Sequence, residues 1–173
     1  MPEPPLFPIG AFDQSAVSET DARGRLIDSL ESASQVIRDA VSEFSDQQLD
    51  LPYRNWTVRQ IVHHVGDSHM HSYIRFKWSL TEDAPLIKAY DEGAWSELAD
   101  ARLGDVTSTL TILDGLHRRW AVLLRSMSAQ DFDRTFTHPQ TTEVTSLSLA
   151  LPYYVWHGRH HTGQIDWVRA NRM

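Results

Sequence analysis

The sequence predicts an all-α four-helix bundle that forms a single domain over residues 1–173. Three observations support this fold class. Four segments repeat apolar residues at steps of three and four positions, the connections between them are rich in turn-forming residues, and strand-like alternation is weak. A chain of 173 residues buries enough surface to form a core without disulfides or a structural metal. We therefore expect apolar packing between helices to hold the fold together.

The first predicted helix spans 20–44 and the second spans 57–80. Apolar residues of the first helix form one stripe, which is typical of a helix with one buried face. The stripe consists of Leu26, Leu30, Ala33, Ile37, Ala40, Val41 and Phe44. The second helix begins at Thr57, and Gln60 follows three residues later. A hydroxyl and an amide at this spacing predict a capping box at the helix start.

The third predicted helix spans 105–127 and the fourth spans 146–170. The third has the most regular apolar stripe in the chain. It consists of Val106, Leu110, Leu113, Leu116, Trp120, Leu123 and Leu124. The fourth helix combines apolar residues with a cluster of histidines, and Pro152 lies near its start. Its apolar residues are Leu149, Tyr153, Trp156, Ile165, Trp167 and Val168, and Pro152 is expected to kink the helix near its start.

The connection 81–104 between the second and third helices is too long for a tight antiparallel turn. A crossover of this length allows helices two and three to run parallel, and a short helix near 95–101 fits within it. The segment 132–144 carries the best strand signal, which leaves a small hairpin and an irregular loop both open. We therefore expect four long helices with one long crossover.

Composition and charge exclude several classes of protein. The chain has no cysteine, which excludes disulfides, Cys-ligated zinc, iron–sulfur clusters and a catalytic thiol, and which fits a reducing cytoplasm. The net charge is −7 without a dense basic cluster, so no nucleic-acid partner is expected. The longest apolar run, 149–156, is too short to cross a membrane, and no export signal precedes the first helix.

Nine histidines carry the chemical signal, and seven of them lie in the windows 63–71 and 157–161. His157 and His161 are four residues apart, so a helix points both imidazoles in one direction. His64 lies at the edge of the inward stripe of the second helix, whereas His63 is rotated about 100° away from it. If the second and fourth helices are antiparallel, the three imidazoles meet within about one turn. The spacing predicts a metal site, with hydrogen-bonded interior histidines as the open alternative.

Three neutral histidines with an open coordination position are typical of a catalytic metal site, since structural zinc sites use four protein ligands. We expect one divalent ion per subunit, with zinc first and nickel, iron or copper also compatible with nitrogen ligands. Water on such an ion ionises near neutral pH and becomes a nucleophile. A bound thiol would likewise lose its proton.

Other polar residues near these histidines are further candidates. Asp67 follows His64 by one turn, so it could orient a ligand imidazole or act as a base, or be an ordinary helix charge. His160 lies about 60° from His157 on the helix, where pocket lining and surface packing both remain open. Arg75 is either a pocket cation for an anionic substrate or an exposed arginine. The remaining histidines of the second helix, His63, His69 and His71, are expected in solvent or beside the ligands.

Trp56 followed eight positions later by His64, together with the run His-Gly-Arg-His-His-Thr-Gly-Gln-Ile from His157, resembles the DinB superfamily of metal-binding four-helix bundles. The resemblance is closest to the branch of YfiT-type metal-dependent hydrolases, which is related to bacillithiol S-transferases. The segments that resemble this branch are 8–12, 56–70, 73–77, 80–85 and 156–162.

The resemblance implies an up-down-down-up bundle, a metal site at His64, His157 and His161, a homodimer and a cytoplasmic location. It leaves three functions open. The first is a hydrolase that uses metal-bound water on a small-molecule substrate. The second is a transferase that moves a low-molecular-weight thiol onto electrophiles, and the third is a non-enzymatic stress-response bundle whose metal stabilises the fold. We place the hydrolase first and the transferase second.

Overall fold

A computed structural model describes residues 2–16 and 20–173 of the chain. Four long helices form the bundle, and shorter elements connect them. The helices are α1 (Thr20–Val41), α2 (Val58–Thr81), α3 (Glu92–Ser96), α4 (Ala99–Leu103), α5 (Val106–Ser126), α6 (Ala129–Asp133) and α7 (Leu147–Arg172). The strands are β1 (Pro52–Tyr53), β2 (Trp56–Thr57), β3 (Thr135–Thr137) and β4 (Val144–Ser146). The predicted domain also includes positions 1 and 17–19, which lie outside the described residues, so its extent stays a prediction.

The contacts of α2 establish the direction of its two neighbours. The His63 imidazole bonds to Thr109 near the start of α5, and Phe76 packs on Trp120 toward its end. The later residue of α2 contacts the later residue of α5, so the two helices are parallel. The contacts with α7 run in the opposite order, since Arg75 lies beside Tyr154 and the earlier His64 lies beside the later residues of α7. The predicted parallel pair and antiparallel pair are both confirmed.

The contacts of α1 complete the topology. Arg125, near the end of α5, pairs with Asp28 near the start of α1, so these two helices are antiparallel. Arg159 of α7 donates to Ser29, while Ile37 further along α1 shares a core cluster with the later part of α7, so α1 and α7 are parallel. The bundle therefore has the predicted up-down-down-up topology.

The crossover 82–105 returns the chain from the end of α2 to its beginning. It contains two short helices, α3 and α4, where the sequence predicted one near 95–101. The carbonyl of Gly104 accepts hydrogen bonds from Arg59 and from His63, which attaches the end of the crossover to the first turns of α2. The buried Arg59 also bonds to Asp46 and Asp50 in the segment before α2. These bonds hold the start of α5 beside the start of α2.

The observed ends of the four long helices lie within two residues of the predicted ends, except at the C-terminal end of α1. The Thr57 hydroxyl accepts from the Gln60 amide N–H at 3.2 Å and the Gln60 side chain accepts from Thr57 N–H at 2.9 Å, which confirms the capping box. Helix α1 ends at Val41 rather than at Phe44. The amide of Phe44 bonds to the carbonyl of Val41, a turn bond that ends the helix while Phe44 still packs on the core. The apolar period therefore overshoots the helix end.

Two small hairpins frame the bundle. β3 and β4 pair antiparallel, with Phe136 opposite Thr145, so the hairpin alternative for 132–144 is correct and its second strand extends beyond that segment. The β1–β2 hairpin, with Tyr53 opposite Trp56, is absent from the sequence prediction. Its strands are too short to show alternation. None of the helices in the described ranges is long and apolar enough to cross a membrane.

Candidate metal centre

Three histidine side chains converge between α2 and α7. His64 comes from α2, while His157 and His161 occupy successive turns of α7, and their exposed fractions are 5%, 7% and 6%. The Nε2 atom of His157 lies 3.2 Å from Nε2 of His64 and 3.2 Å from Nε2 of His161. Two nitrogens bound to one tetrahedral zinc at 2.0–2.1 Å lie about 3.3 Å apart. The arrangement therefore fits a shared metal ion.

The protonation states of the three histidines also favour metal binding. Burial lowers the pKa of His64 to about 4, and the neighbouring His160 adds to this effect. Burial first, and nearby imidazoles second, hold the pKa values of His157 and His161 well below the usual 6.5. At neutral pH all three imidazoles are therefore uncharged and carry a free nitrogen lone pair, as metal ligation requires. Within the described part of the chain, no fourth histidine or carboxylate joins this group.

Gln164 fixes the orientation of His161. The Nδ1–H of His161 donates to the Gln164 side-chain oxygen at 2.8 Å, which leaves Nε2 as the atom that faces the other two histidines. The Gln164 side-chain nitrogen donates to Nε2 of His160 at 2.9 Å. Sequence reasoning missed Gln164, although its position three residues after His161 on one helix face was a usable signal.

His160 is buried beside His161, with ring centroids 5.0 Å apart. Its ring is buried and stacks on Trp156 with centroids 4.9 Å apart, and the cavity beside the site does not include it among its lining residues. Surface packing, one of its two expected positions, is wrong because His160 is buried, and the described cavity wall does not include it either, so the residue packs in the interior. Its catalytic role stays a prediction.

A second pair of histidines lies next to His157. The His69 ring is fully buried with its centroid 5.6 Å from that of His157, and its Nδ1 is 2.8 Å from Nε2 of the buried His117. Among the described residues, Nδ1 of His157 and Nε2 of His69 have no hydrogen-bond partner. His69 therefore lies beside His157, one of the three candidate ligands, which was one of its two expected positions. His117 was missed because its proximity depends on how α5 packs.

The other candidates of α2 have separate environments. His63 is buried and bonds to Thr109 and Gly104, so the crossover covers a residue that was expected in solvent or beside the ligands. His71 is half-buried and stacks on Tyr90 with centroids 4.3 Å apart. Asp67 is half-buried, and burial followed by the charge of Asp100 raises its pKa to about 6. No hydrogen bond joins Asp67 to the three ligands in the described structure, so its role as a base stays a prediction.

A cavity of about 640 Å³ adjoins the site, and His157 is part of its wall. This volume is within the range that encloses a small organic ligand. The wall is rich in polar and aromatic groups. It includes Phe12, Ser68, Arg75, Tyr90, Tyr153 and Tyr154, together with the acidic residues Asp91, Glu92 and Glu143. Through His157, the histidine group therefore borders a cavity that can hold a small polar molecule.

The fold and site together define a class of proteins, the four-helix bundles that gather polar ligands between facing helices. The family model of the DinB superfamily matches residues 29–165, and the chain belongs to that superfamily. The chain is 47% identical over 161 residues to "Putative metal-dependent hydrolase YfiT" of Bacillus subtilis (strain 168), covering 92% of this chain and 90% of that protein.

Two further comparisons agree with this family. A protein of Bacillus cereus (strain B4264), named a "Putative metal-dependent hydrolase", is 46% identical over 165 residues, covering 94% of each protein. The solved structure of YfiT from Bacillus subtilis, described as a "probable metal-dependent hydrolase with an unusual four-helix bundle topology", superposes with a TM-score of 0.93 at 45% identity. It covers 96% of each chain. The fold is therefore that of YfiT.

Proposed function

We propose that this chain is a metal-dependent hydrolase of a small-molecule substrate. One divalent ion, zinc in our proposal, is held by Nε2 of His64, His157 and His161. The observation that carries the proposal is the convergence of three neutral, buried imidazole nitrogens beside a cavity of about 640 Å³. Relatives at 46–47% identity bear the name of metal-dependent hydrolase, which supports the same reaction class.

The protein residues prepare the site for this chemistry. Gln164 holds His161 in the tautomer that presents Nε2, and the Trp56 ring packs on His64 with centroids 4.5 Å apart. Three protein ligands leave at least one coordination position free, which distinguishes a catalytic site from a closed structural one. A divalent ion supplies Lewis acidity and lowers the pKa of water toward neutrality. Asp67 follows His64 by one turn of α2, and burial raises its pKa to about 6, so it is our candidate for the proton acceptor.

A thiol transferase is the second candidate. The cavity offers far more space than a water nucleophile requires, so a second organic substrate fits beside the first. The chain has no cysteine, so the sulfur would have to come from an external thiol. Nitrogen-ligated zinc also binds thiolates, which makes the same site compatible with this reaction.

The test compares two substrate panels with zinc-loaded and nickel-loaded protein. One panel contains esters and amides, the other contains electrophiles, and each is assayed with and without a small thiol. We expect metal-dependent hydrolysis without thiol, rising with pH through about 7. His64→Ala removes a ligand and is the blank. His63→Ala changes a histidine outside both the ligand group and the described cavity wall and is the matched control, for which we expect turnover to be retained.

The other outcomes separate the alternatives. Turnover that requires both an added thiol and His64 would show that the protein is a transferase rather than a hydrolase. No His64-dependent turnover in either panel favours a non-enzymatic metal-binding bundle. The homodimer and the cytoplasmic location stay predictions, the first of which sedimentation of the zinc-loaded protein tests directly.

A further inference from the structure

Arg75 is a cation in the wall of the cavity that has little bonding to the protein. Its Nη1 donates to the Tyr154 hydroxyl at 2.8 Å, and its Nε is shielded from solvent without an acceptor. Over the described ranges, no carboxylate lies close enough to form an ion pair with it. A guanidinium offers five N–H donors and keeps its charge at any physiological pH. Most of this hydrogen-bonding capacity is therefore free.

Arg59 is a buried arginine with a structural role, and its hydrogen-bond partners differ from those of Arg75. Its guanidinium donates to the carboxylates of Asp46 and Asp50 and to the carbonyls of Asp46 and Gly104. These bonds compensate for the burial of its charge. Arg75 lies 16 residues later on α2, a rise of about 24 Å, and donates to a single neutral hydroxyl instead. The contrast indicates that Arg75 is placed for a ligand rather than for the fold.

The position of Arg75 relates it to the histidine site. Tyr154, which bonds to Arg75, precedes His157 by three residues on α7, a rise of about 4.5 Å along the helix. Arg75, Tyr154 and His157 all line the cavity. A small molecule in the cavity can therefore contact the guanidinium at one end while its other end approaches His157, the one of the three histidines in the described cavity wall.

The charges around the cavity limit the kind of anion that fits. Asp91, Glu92 and Glu143 also line it, and all three are exposed. Their negative charge disfavours entry of a dianionic group such as a phosphate. A single carboxylate carries less charge and matches the planar donor geometry of a guanidinium.

We propose that Arg75 binds a carboxylate of the substrate, and that Tyr154 holds the guanidinium in place. This inference rests on the proposed function and names its substrate class: small carboxylic acids that carry a hydrolysable ester or amide. The carboxylate fixes one end of the molecule, and the bond to be cleaved lies toward His157. Arg75 thereby determines specificity without belonging to the histidine group.

The test measures binding by calorimetry, with N-acetylglycine as the acid probe and N-acetylglycinamide as its neutral counterpart. Titrations use zinc-loaded wild-type protein and zinc-free His64→Ala, so that coordination of the acid by the ion is separated from binding by Arg75. In both proteins we expect the acid to bind at least about tenfold more tightly than the amide, as for a charge-assisted hydrogen bond.

Substitutions locate the binding group. Arg75→Gln should abolish the preference for the acid, Arg75→Lys should retain part of it, and Tyr154→Phe should reduce it. Arg118→Gln is the matched control, because Arg118 is an exposed arginine of α5 paired with Asp114, and the preference should remain. Circular dichroism melts verify folding, and Arg75→Lys preserves the test if Arg75→Gln does not fold.

Equal binding of acid and amide by the wild type, or an unchanged preference in Arg75→Gln, overturns the inference. Tighter binding of inorganic phosphate than of the acid overturns the carboxylate assignment. His64-dependent hydrolysis without any acid preference refutes the inference and leaves the proposed function standing. Arg75-dependent acid binding without turnover of any panel refutes the proposed function and supports the binding site.

Discussion

At the scale of single residues, the side-chain amide of Gln164 bonds to two histidines. Its oxygen accepts from His161, and its nitrogen donates to His160. Gln164→Leu removes the acceptor for His161 Nδ1–H, so the imidazole loses its fixed tautomer and orientation. We expect zinc affinity to fall about 10- to 100-fold, as for other partners of metal-bound histidines. Competition with a chromophoric chelator measures this. Gln35→Leu, on the exposed face of α1, is the control, and equal affinities of both variants would contradict the expectation.

His63 and His64 are adjacent in sequence but should respond differently to substitution. His64→Ala removes a proposed ligand and should abolish tight zinc binding. His63→Ala breaks the bonds to Thr109 and Gly104 and should retain about one ion per chain while lowering the free energy of unfolding by about 1–3 kcal/mol. Metal analysis and urea titration provide the two measurements. Zinc retained by His64→Ala but lost by His63→Ala would show that the ligand assignment is wrong.

Helical spacing predicted which histidines share a face, and their convergence followed only if α2 and α7 were antiparallel. His157 and His161 share a face of α7, and the inward stripe of α2 selects His64 over His63. The His69–His117 pair was not predictable, because it depends on the lateral packing of α2 against α5. The bond between Arg75 and Tyr154 depends likewise on the packing of α2 against α7.

At the scale of elements, the helix cap at the start of α2 lies next to a residue that packs on the candidate metal centre. Thr57 caps the helix, and the preceding Trp56 packs on His64. Thr57→Ala leaves the Gln60 amide N–H without its acceptor and should lower the free energy of unfolding by about 1 kcal/mol. Urea unfolding of the zinc-free protein tests this. Thr81→Ala, at the other end of α2, is the control and should change stability by less than about 0.5 kcal/mol; equal losses would contradict the capping role.

The long elements were predictable and the short ones were not. Periodicity over five or more turns located α2, α5 and α7 to within two residues, because many positions contribute to the pattern. The crossover length allowed the parallel pair, and the family resemblance implied it. The hairpin β1–β2 has two residues in each strand, too few for alternation to register. α3 and α4 are each one turn and a half, so local sequence suggested a single helix in their place.

At the scale of the whole molecule, the buried histidines make stability depend on pH. Burial lowers the pKa of His64 and His117 to about 4. The unfolded chain gains protons at these positions below about pH 6.5, whereas the folded protein does so only near pH 4, so the unfolded state binds more protons in this window. The free energy of unfolding should therefore fall on acidification from about pH 6.5 to about 4, by about 3 kcal/mol for each histidine.

Asp67 acts in the opposite direction. Burial raises its pKa to about 6, so folding stabilises the protonated form of its carboxyl group. The contribution of this group to the free energy of unfolding is therefore lost as pH rises through about 6. The histidines outweigh it, because His69, His157 and His161 also have strongly lowered pKa values. Urea titrations of chelator-treated protein between pH 4 and pH 8 measure the sum. Constant or increasing stability toward pH 4 would contradict the prediction.

The separation of the histidines along the chain has a kinetic consequence. His64 and His157 are 93 positions apart in sequence, yet their nitrogens are 3.2 Å apart in the fold. An ion shared by them is a reversible cross-link that closes a very long loop, and the entropy lost on closing a loop grows with its length. Opening the bundle then requires the ion to leave at least one helix first. Zinc should therefore lengthen the lifetime of the folded protein against proteolysis.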